Sequence, residues 1–80
     1  MAEQARQAMA NVAAVLTAGG SSMDRVVTTT VLIADASEFE EVNAAFAAAF
    51  PTDPPARMTM QVVLPLGLLI SVGAVATTGD

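Results

Sequence analysis

The run Val26-Val27-Thr28-Thr29-Thr30-Val31-Leu32-Ile33 decides how this chain folds. All eight residues are β-branched or apolar. In a helix the branched side chains lose rotamer freedom against the preceding turn, whereas on a pleated strand they pack well. The stretch predicts a strand with Val27, Val31 and Ile33 on one face and Val26 and Leu32 on the other, the second face tempered by Thr28 and Thr30. Such a strand is covered on at least one side and partly on both.

Working outward, the segments on either side of this strand have a different period. Upstream, Ala5, Met9, Val12, Val15 and Leu16 recur every three or four residues between Glu3 and Ala18, which predicts an amphipathic helix. Gly19-Gly20 ends it, and Ser21 to Arg25 is a short polar connection with room for one helical turn. Downstream, Phe39, Val42, Phe46 and Phe50 form a second helical stripe, with the three phenylalanines read as core packing. Ser37 and Glu40 have the spacing of a capping box at its start, and Pro51, Pro54 and Pro55 stop it.

Beyond the prolines, Ala56 to Leu64 alternates Met58, Met60 and Val62 against Arg57, Thr59, Gln61 and Val63, the period of a strand. Pro65-Leu66-Gly67 reads as a turn and Leu68 to Ala76 as a last strand, with Thr77 to Asp80 a frayed tail. The order is α-β-α-β-β, with the last two strands expected to form a hairpin. This predicts a two-layer α+β domain. Three strands leave exposed edges, a reason to expect partner chains.

Composition bounds the chemistry. Eighty residues hold one domain, residues 1–80, and no second. There is no cysteine and no histidine, so disulfides, thiolate metal sites, Ser-His-Asp catalysis and almost all zinc sites are excluded. Three arginines, no lysine and eight acids give a net charge of −5, which argues against nucleic acid and against an anionic membrane surface. Charged residues are 14% of the chain, where soluble domains average about 25%, and hydrophobic residues are 54%. That much apolar surface on a small chain points to self-association. The most apolar run, Val62 to Ala76, is too short and too broken by Pro65, Gly67 and Gly73 to span a membrane, and the N-terminus lacks a signal-peptide run. A soluble, cytoplasmic protein is expected.

Arg57 is the sharpest chemical candidate. It begins a strand behind the rigid Pro54-Pro55 pair in a chain with few cations, and a guanidinium grips a carboxylate through two parallel hydrogen bonds. The alternative is an ion pair with Asp53 or another nearby acid. Asn43 shares the stripe of Phe39, Val42 and Phe46, where a polar amide needs a partner, either a strand end or a pocket. Glu38, Glu40 and Glu41 fall in the first turn of the second helix and read as dipole-stabilising solvated acids rather than a metal site.

Several stretches are similar, in order and spacing, to the RidA/YjgF family. They are Gln4 to Val12, Gly19-Gly20-Ser21-Ser22-Met23-Asp24-Arg25 and the strand behind it, Phe39-Glu40-Glu41-Val42-Asn43, and most specifically Pro54-Pro55-Ala56-Arg57-Met58-Thr59. The resemblance implies a chorismate-mutase-like α+β fold assembled as a homotrimer with pockets between subunits. It implies hydrolysis of reactive 2-enamine/2-imine acids, such as 2-aminoacrylate, to 2-keto acids and ammonia, with no cofactor. The family's carboxylate-clamping arginine falls on Arg57 and its second-helix asparagine on Asn43. Thr59 falls on a pocket position where relatives carry cysteine or threonine, and its carbonyl is placed to orient a water. Two departures stand out. Relatives begin with a β-hairpin that adds a tyrosine and a serine to the pocket, whereas this sequence starts at the first helix and has no tyrosine; and Gly73 stands where many relatives carry a water-activating glutamate. A non-catalytic trimeric module that binds small carboxylates or a protein is therefore the alternative expectation, and an RNA-cleaving role, an older label in the family, fits the charge poorly.

Overall fold

Strand pairing follows from the apolar content of the central run. In the computed structural model, which describes residues 1–78, Val26–Ile33 is strand β1 and occupies the middle of a three-stranded sheet. The other elements are helix α1 (Ala2–Ala18), helix α2 (Phe39–Ala49), strand β2 (Ala56–Gln61) and strand β3 (Ile70–Ala76). Strand order is β2-β1-β3, with β2 parallel and β3 antiparallel to β1.

The last two strands therefore do not form the expected hairpin. They lie at opposite edges, and residues 62–69 carry the chain across the end of β1. Two hydrogen bonds hold that crossing: Val62 N–H donates to the Ile33 carbonyl at 2.9 Å and Ala34 N–H to the Leu69 carbonyl at 3.0 Å. The most branched strand gains most from a neighbour on each side, so β1 takes the centre. β2 stops at Gln61 and β3 starts at Ile70, both shorter than their alternation predicts, because the intervening residues make this crossing. The turn at Pro65-Leu66-Gly67 forms as expected, with Leu68 N–H donating to the Pro65 carbonyl at 3.1 Å.

Both helices pack on one face of the sheet. Val31 and Ile33 of β1 meet Ala5 of α1, Val42 of α2 and Ile70 of β3, and a second cluster joins Met9, Phe46 and Phe50. The face assignment of β1 needs one correction. A bulge between Val26 and Thr28 leaves Val27 56% exposed and turns Val26 toward the Met9–Phe46–Phe50 cluster. A bulge inserts one residue into the ladder and so reverses the facing of everything before it. Among the described residues the opposite face of the sheet carries no helix, and Thr28, Thr30, Met58, Met60 and Val75 lie exposed on it.

The ends of the elements differ in detail from expectation. Gly20, at φ +85°, takes the left-handed conformation behind α1. The Ser37–Glu40 capping box does not form. Asp35 takes its place: its carboxylate accepts from the Ser37 amide at 2.9 Å and from the Ser37 hydroxyl at 2.7 Å, and Ser37 itself lies inside the short helical turn Ala36–Glu38 rather than at its cap. Those two bonds hold the Asp35 carboxyl below its ordinary pKa, the side-chain bond being the larger cause. Thr77 is tied rather than frayed, since its N–H donates to the Arg25 carbonyl at 3.0 Å and its own carbonyl accepts from the Ser21 hydroxyl at 2.6 Å. Gly79 and Asp80, the rest of the expected tail, lie outside the described residues.

Candidate functional site

The path from α2 to β2 fixes where Arg57 stands. Phe50 closes α2, Pro51 to Pro55 restrict the backbone of the connection, and Asp53 turns it in the left-handed region at φ 49°, which aspartate tolerates better than most residues. The buried Thr29 hydroxyl of β1 then donates to the Ala56 carbonyl at 3.0 Å, anchoring the first residue of β2. One residue later the side chain of Arg57 is directed beneath α2.

There the guanidinium meets one stripe of the helix. Nη2 of Arg57 donates to Oδ1 of Asn43 at 2.7 Å. The guanidinium carbon lies 4.8 Å from the centroid of the Phe46 ring and 5.4 Å from that of Phe39, inside the range where a cation is attracted to an aromatic face. Among the described residues Arg57 pairs with no carboxylate, so the expected alternative of an ion pair with Asp53 or a nearby acid is not what the structure holds. The bond to Asn43 occupies one of the guanidinium's five N–H donors. An open cleft of about 740 Å³ adjoins it, lined by Asn43, Phe46, Pro54, Pro55 and Arg57 among others, with no acidic side chain among the described residues of its wall. A half-buried cation with spare donors beside an acid-free cleft is equipped to receive a carboxylate.

Asn43 and Arg57 are thus brought together, the partner that the amide needed being the guanidinium. Thr59 is not part of the cleft wall. It sits two residues along the same face of β2, its hydroxyl oxygen buried without a hydrogen-bond partner among the described residues. Its backbone points elsewhere. Because Val62 N–H bonds to β1, the alternation of a parallel ladder turns the N–H and C=O of residues 58 and 60 toward β1 and those of Arg57 and Thr59 toward the open edge of the sheet. Gly73, opposite Thr30 on β1, lies on the face away from the helices and from Arg57.

Phe39 is a further correction. It does not join the core with Phe46 and Phe50, being 39% exposed, and its ring faces Arg57 instead. The signal in the sequence was the spacing Phe39–Asn43–Phe46, an i, i+4, i+7 stripe interrupted by an amide. Glu40 and Glu41 lie in the first turn of α2, whereas Glu38 precedes it, and Glu38 and Glu41 each face the Met1 amino group at 3.8 Å rather than solvent alone. No group of three potential metal ligands occurs among the described residues.

The family model described as Endoribonuclease L-PSP matches residues 1–78. The chain belongs to the RidA/YjgF family. Human 2-iminobutanoate/2-iminopropanoate deaminase is 42% identical over 80 residues, which cover 99% of this chain and 58% of the human protein. Among solved structures, YEO7 of yeast superimposes with a TM-score of 0.95 at 39% identity, covering 99% of this chain and 64% of that one. The YjgF gene product of E. coli does so with a TM-score of 0.88 at 38% identity, covering 94% and 62% respectively. The RidA/YjgF fold is therefore that of this chain, which spans about three fifths of the length of the relatives it matches. No helix among the described residues is long and apolar enough to cross a membrane.

Proposed function

We propose that this chain hydrolyses reactive 2-enamine/2-imine acids, such as 2-aminoacrylate, to 2-keto acids and ammonia. The observation that carries the reading is the Arg57 guanidinium, held by Asn43 and two aromatic rings with donors to spare and, among the described residues, no acid paired with it. The name of the human relative supports the same chemistry. Arg57 clamps the substrate carboxylate through two parallel bonds, Asn43 keeps the guanidinium in plane, and the Thr59 carbonyl at the sheet edge orients a water. An enamine first tautomerises to the imine. The water oxygen then bonds to the electrophilic C2 while one of its protons passes to nitrogen, giving a carbinolamine. The remaining hydroxyl proton follows to nitrogen as the C2–N bond breaks, releasing ammonia and leaving the ketone. No cofactor enters, and most of the acceleration comes from holding water and C2 in contact.

The active form in this reading is a cytoplasmic homotrimer whose neighbouring subunit completes the pocket along the β2 edge. The test is ammonia release from 2-aminoacrylate generated in the assay. Arg57→Ala is expected to lower the rate roughly a hundredfold, as loss of a charge-assisted clamp does. An intact chain that stays inert at high concentration rejects the activity.

The acid-free wall of the cleft favours one second reading, a non-catalytic module that binds small carboxylates or a carboxylate-bearing protein through the same arginine. Titration with 2-oxobutanoate separates the two, since binding without turnover identifies the module.

A further inference from the structure

The two rings that flank Arg57 differ in what else they do. Phe46 is buried, packs at a tilt against Phe50 with ring centroids 4.8 Å apart and belongs to the second core cluster. Phe39 is 39% exposed and belongs to neither cluster. Packing therefore accounts for Phe46 and leaves Phe39 unexplained.

Helix geometry supplies the explanation. Residues seven apart share a face, and a rise of 1.5 Å per residue separates them by roughly 10 Å along the axis. The guanidinium carbon, 5.4 Å from one centroid and 4.8 Å from the other, sits about midway between the two rings. Asn43 lies between them on the same stripe and accepts from Nη2 at 2.7 Å. An arginine side chain has several free torsions, and a single hydrogen bond at one nitrogen leaves the fork able to pivot about it. Two rings on either side remove that freedom.

We infer that Phe39 is a positioning residue for Arg57: it pins the guanidinium against Asn43 and Phe46 so that the unbonded edge of the fork meets an incoming carboxylate in one orientation. The inference rests on the carboxylate-clamp reading and adds to it a residue that does not touch the substrate. Because Phe39 stands outside both core clusters, Phe39→Leu is expected to fold, with little change in melting temperature.

The decisive measurement is the Nε–Hε spectrum of the three arginines, with the Arg57 signal assigned by its loss in Arg57→Lys. In the wild type that signal is expected to be displaced by ring currents; Phe39→Leu moves it toward the positions of Arg6 and Arg25, and Phe39→Tyr leaves it in place. An Arg57 signal indifferent to Phe39→Leu overturns the inference whether or not any ligand binds. In parallel, affinity for 2-oxobutanoate is expected to fall roughly three- to tenfold in Phe39→Leu and to be retained in Phe39→Tyr, with any turnover losing in KM rather than kcat. Equal affinity of wild type and Phe39→Leu, with Arg57→Ala inactive in binding, rejects the positioning role and leaves the clamp standing. A wild type that binds no carboxylate rejects the clamp, and the spectrum still decides whether the Phe39 ring lies against Arg57.

Discussion

Replacing Asn43 by aspartate would put a carboxylate where a neutral amide now accepts from Arg57 at 2.7 Å. The two side chains are nearly isosteric, so the fold is kept, but the guanidinium acquires an internal counter-ion. Affinity for 2-oxobutanoate is expected to fall more than tenfold in Asn43→Asp, because the ligand must displace a charge-assisted bond. Calorimetric titration checks it, and wild-type affinity in the variant would show that carboxylates bind elsewhere. Asp35 offers a test of a different kind. Its carboxyl is held below the ordinary value of 3.8 by the Ser37 hydroxyl and amide. A depressed folded pKa gives a stabilisation that is present above the unfolded pKa and lost as pH falls through the folded one. Asp35→Ala should thus melt lower than the wild type at neutral pH, with the gap closing as the pH drops below about 4, and a gap that persists in acid would mean that the cap owes nothing to charge. Arg57 and Asn43 were legible in the sequence, because a rare cation behind two prolines and an amide inside an apolar stripe both call for partners. That they partner each other was not, since it requires β2 to pair parallel with β1 and so to turn Arg57 to the face that α2 covers, which no local spacing states. Nor was the role of Phe39, since period alone cannot separate a core ring from one lying on a cation.

At the level of elements, the sequence announced which segments were helix or strand and left their neighbours open. Val26–Ile33 forms a strand with the bounds its branched residues predict. The hairpin expected from two successive strands fails because adjacency in sequence is only a prior, whereas β1 has branched residues enough to take a partner at each side. The bulge at Val27 was equally hidden, as no residue in a run of valines and threonines marks where the ladder skips. The turn that carries the crossing is not optimal for its shape. Leu66 and Gly67 both have positive φ, 59° and 71°, and Leu66 is 97% exposed. A leucine there bears the left-handed penalty, on the order of 1 kcal/mol, and gains no burial in return. Two successive positive φ values favour Asn-Gly in this position. Leu66→Asn is expected to raise stability by roughly 0.5–1 kcal/mol, a rise of a few degrees in thermal unfolding. A neutral or lowered midpoint would mean that Leu66 is held by contacts with another chain.

For the whole molecule the telling feature is that both helices cover the same side of the sheet. The other side presents Met58 at 55% and Met60 at 43% exposure, with Val75 at 62% and the threonines of β1 beside them. Burying a methionine fully is worth roughly 1.5–3 kcal/mol, so a second surface on this face recovers much that one 80-residue layer pair leaves in water. None of the exposed residues named there carries charge, and two copies of a chain with net charge −5 can meet on it without opposing acids. Under the proposed trimer, this face and the adjoining β2 edge join the subunits, and the Thr59 carbonyl at that edge faces a neighbour. Paired substitution Met58→Glu and Met60→Glu should then give monomers by light scattering on a sizing column. It should also abolish deaminase activity, while the Nε–Hε signal of Arg57 on the helix-covered face stays where it was. Loss of assembly with activity intact would mean that each chain holds a complete site. A wild type already monomeric and active would remove the inter-subunit pocket, and a variant that remained trimeric would move the interface to other surfaces of the chain.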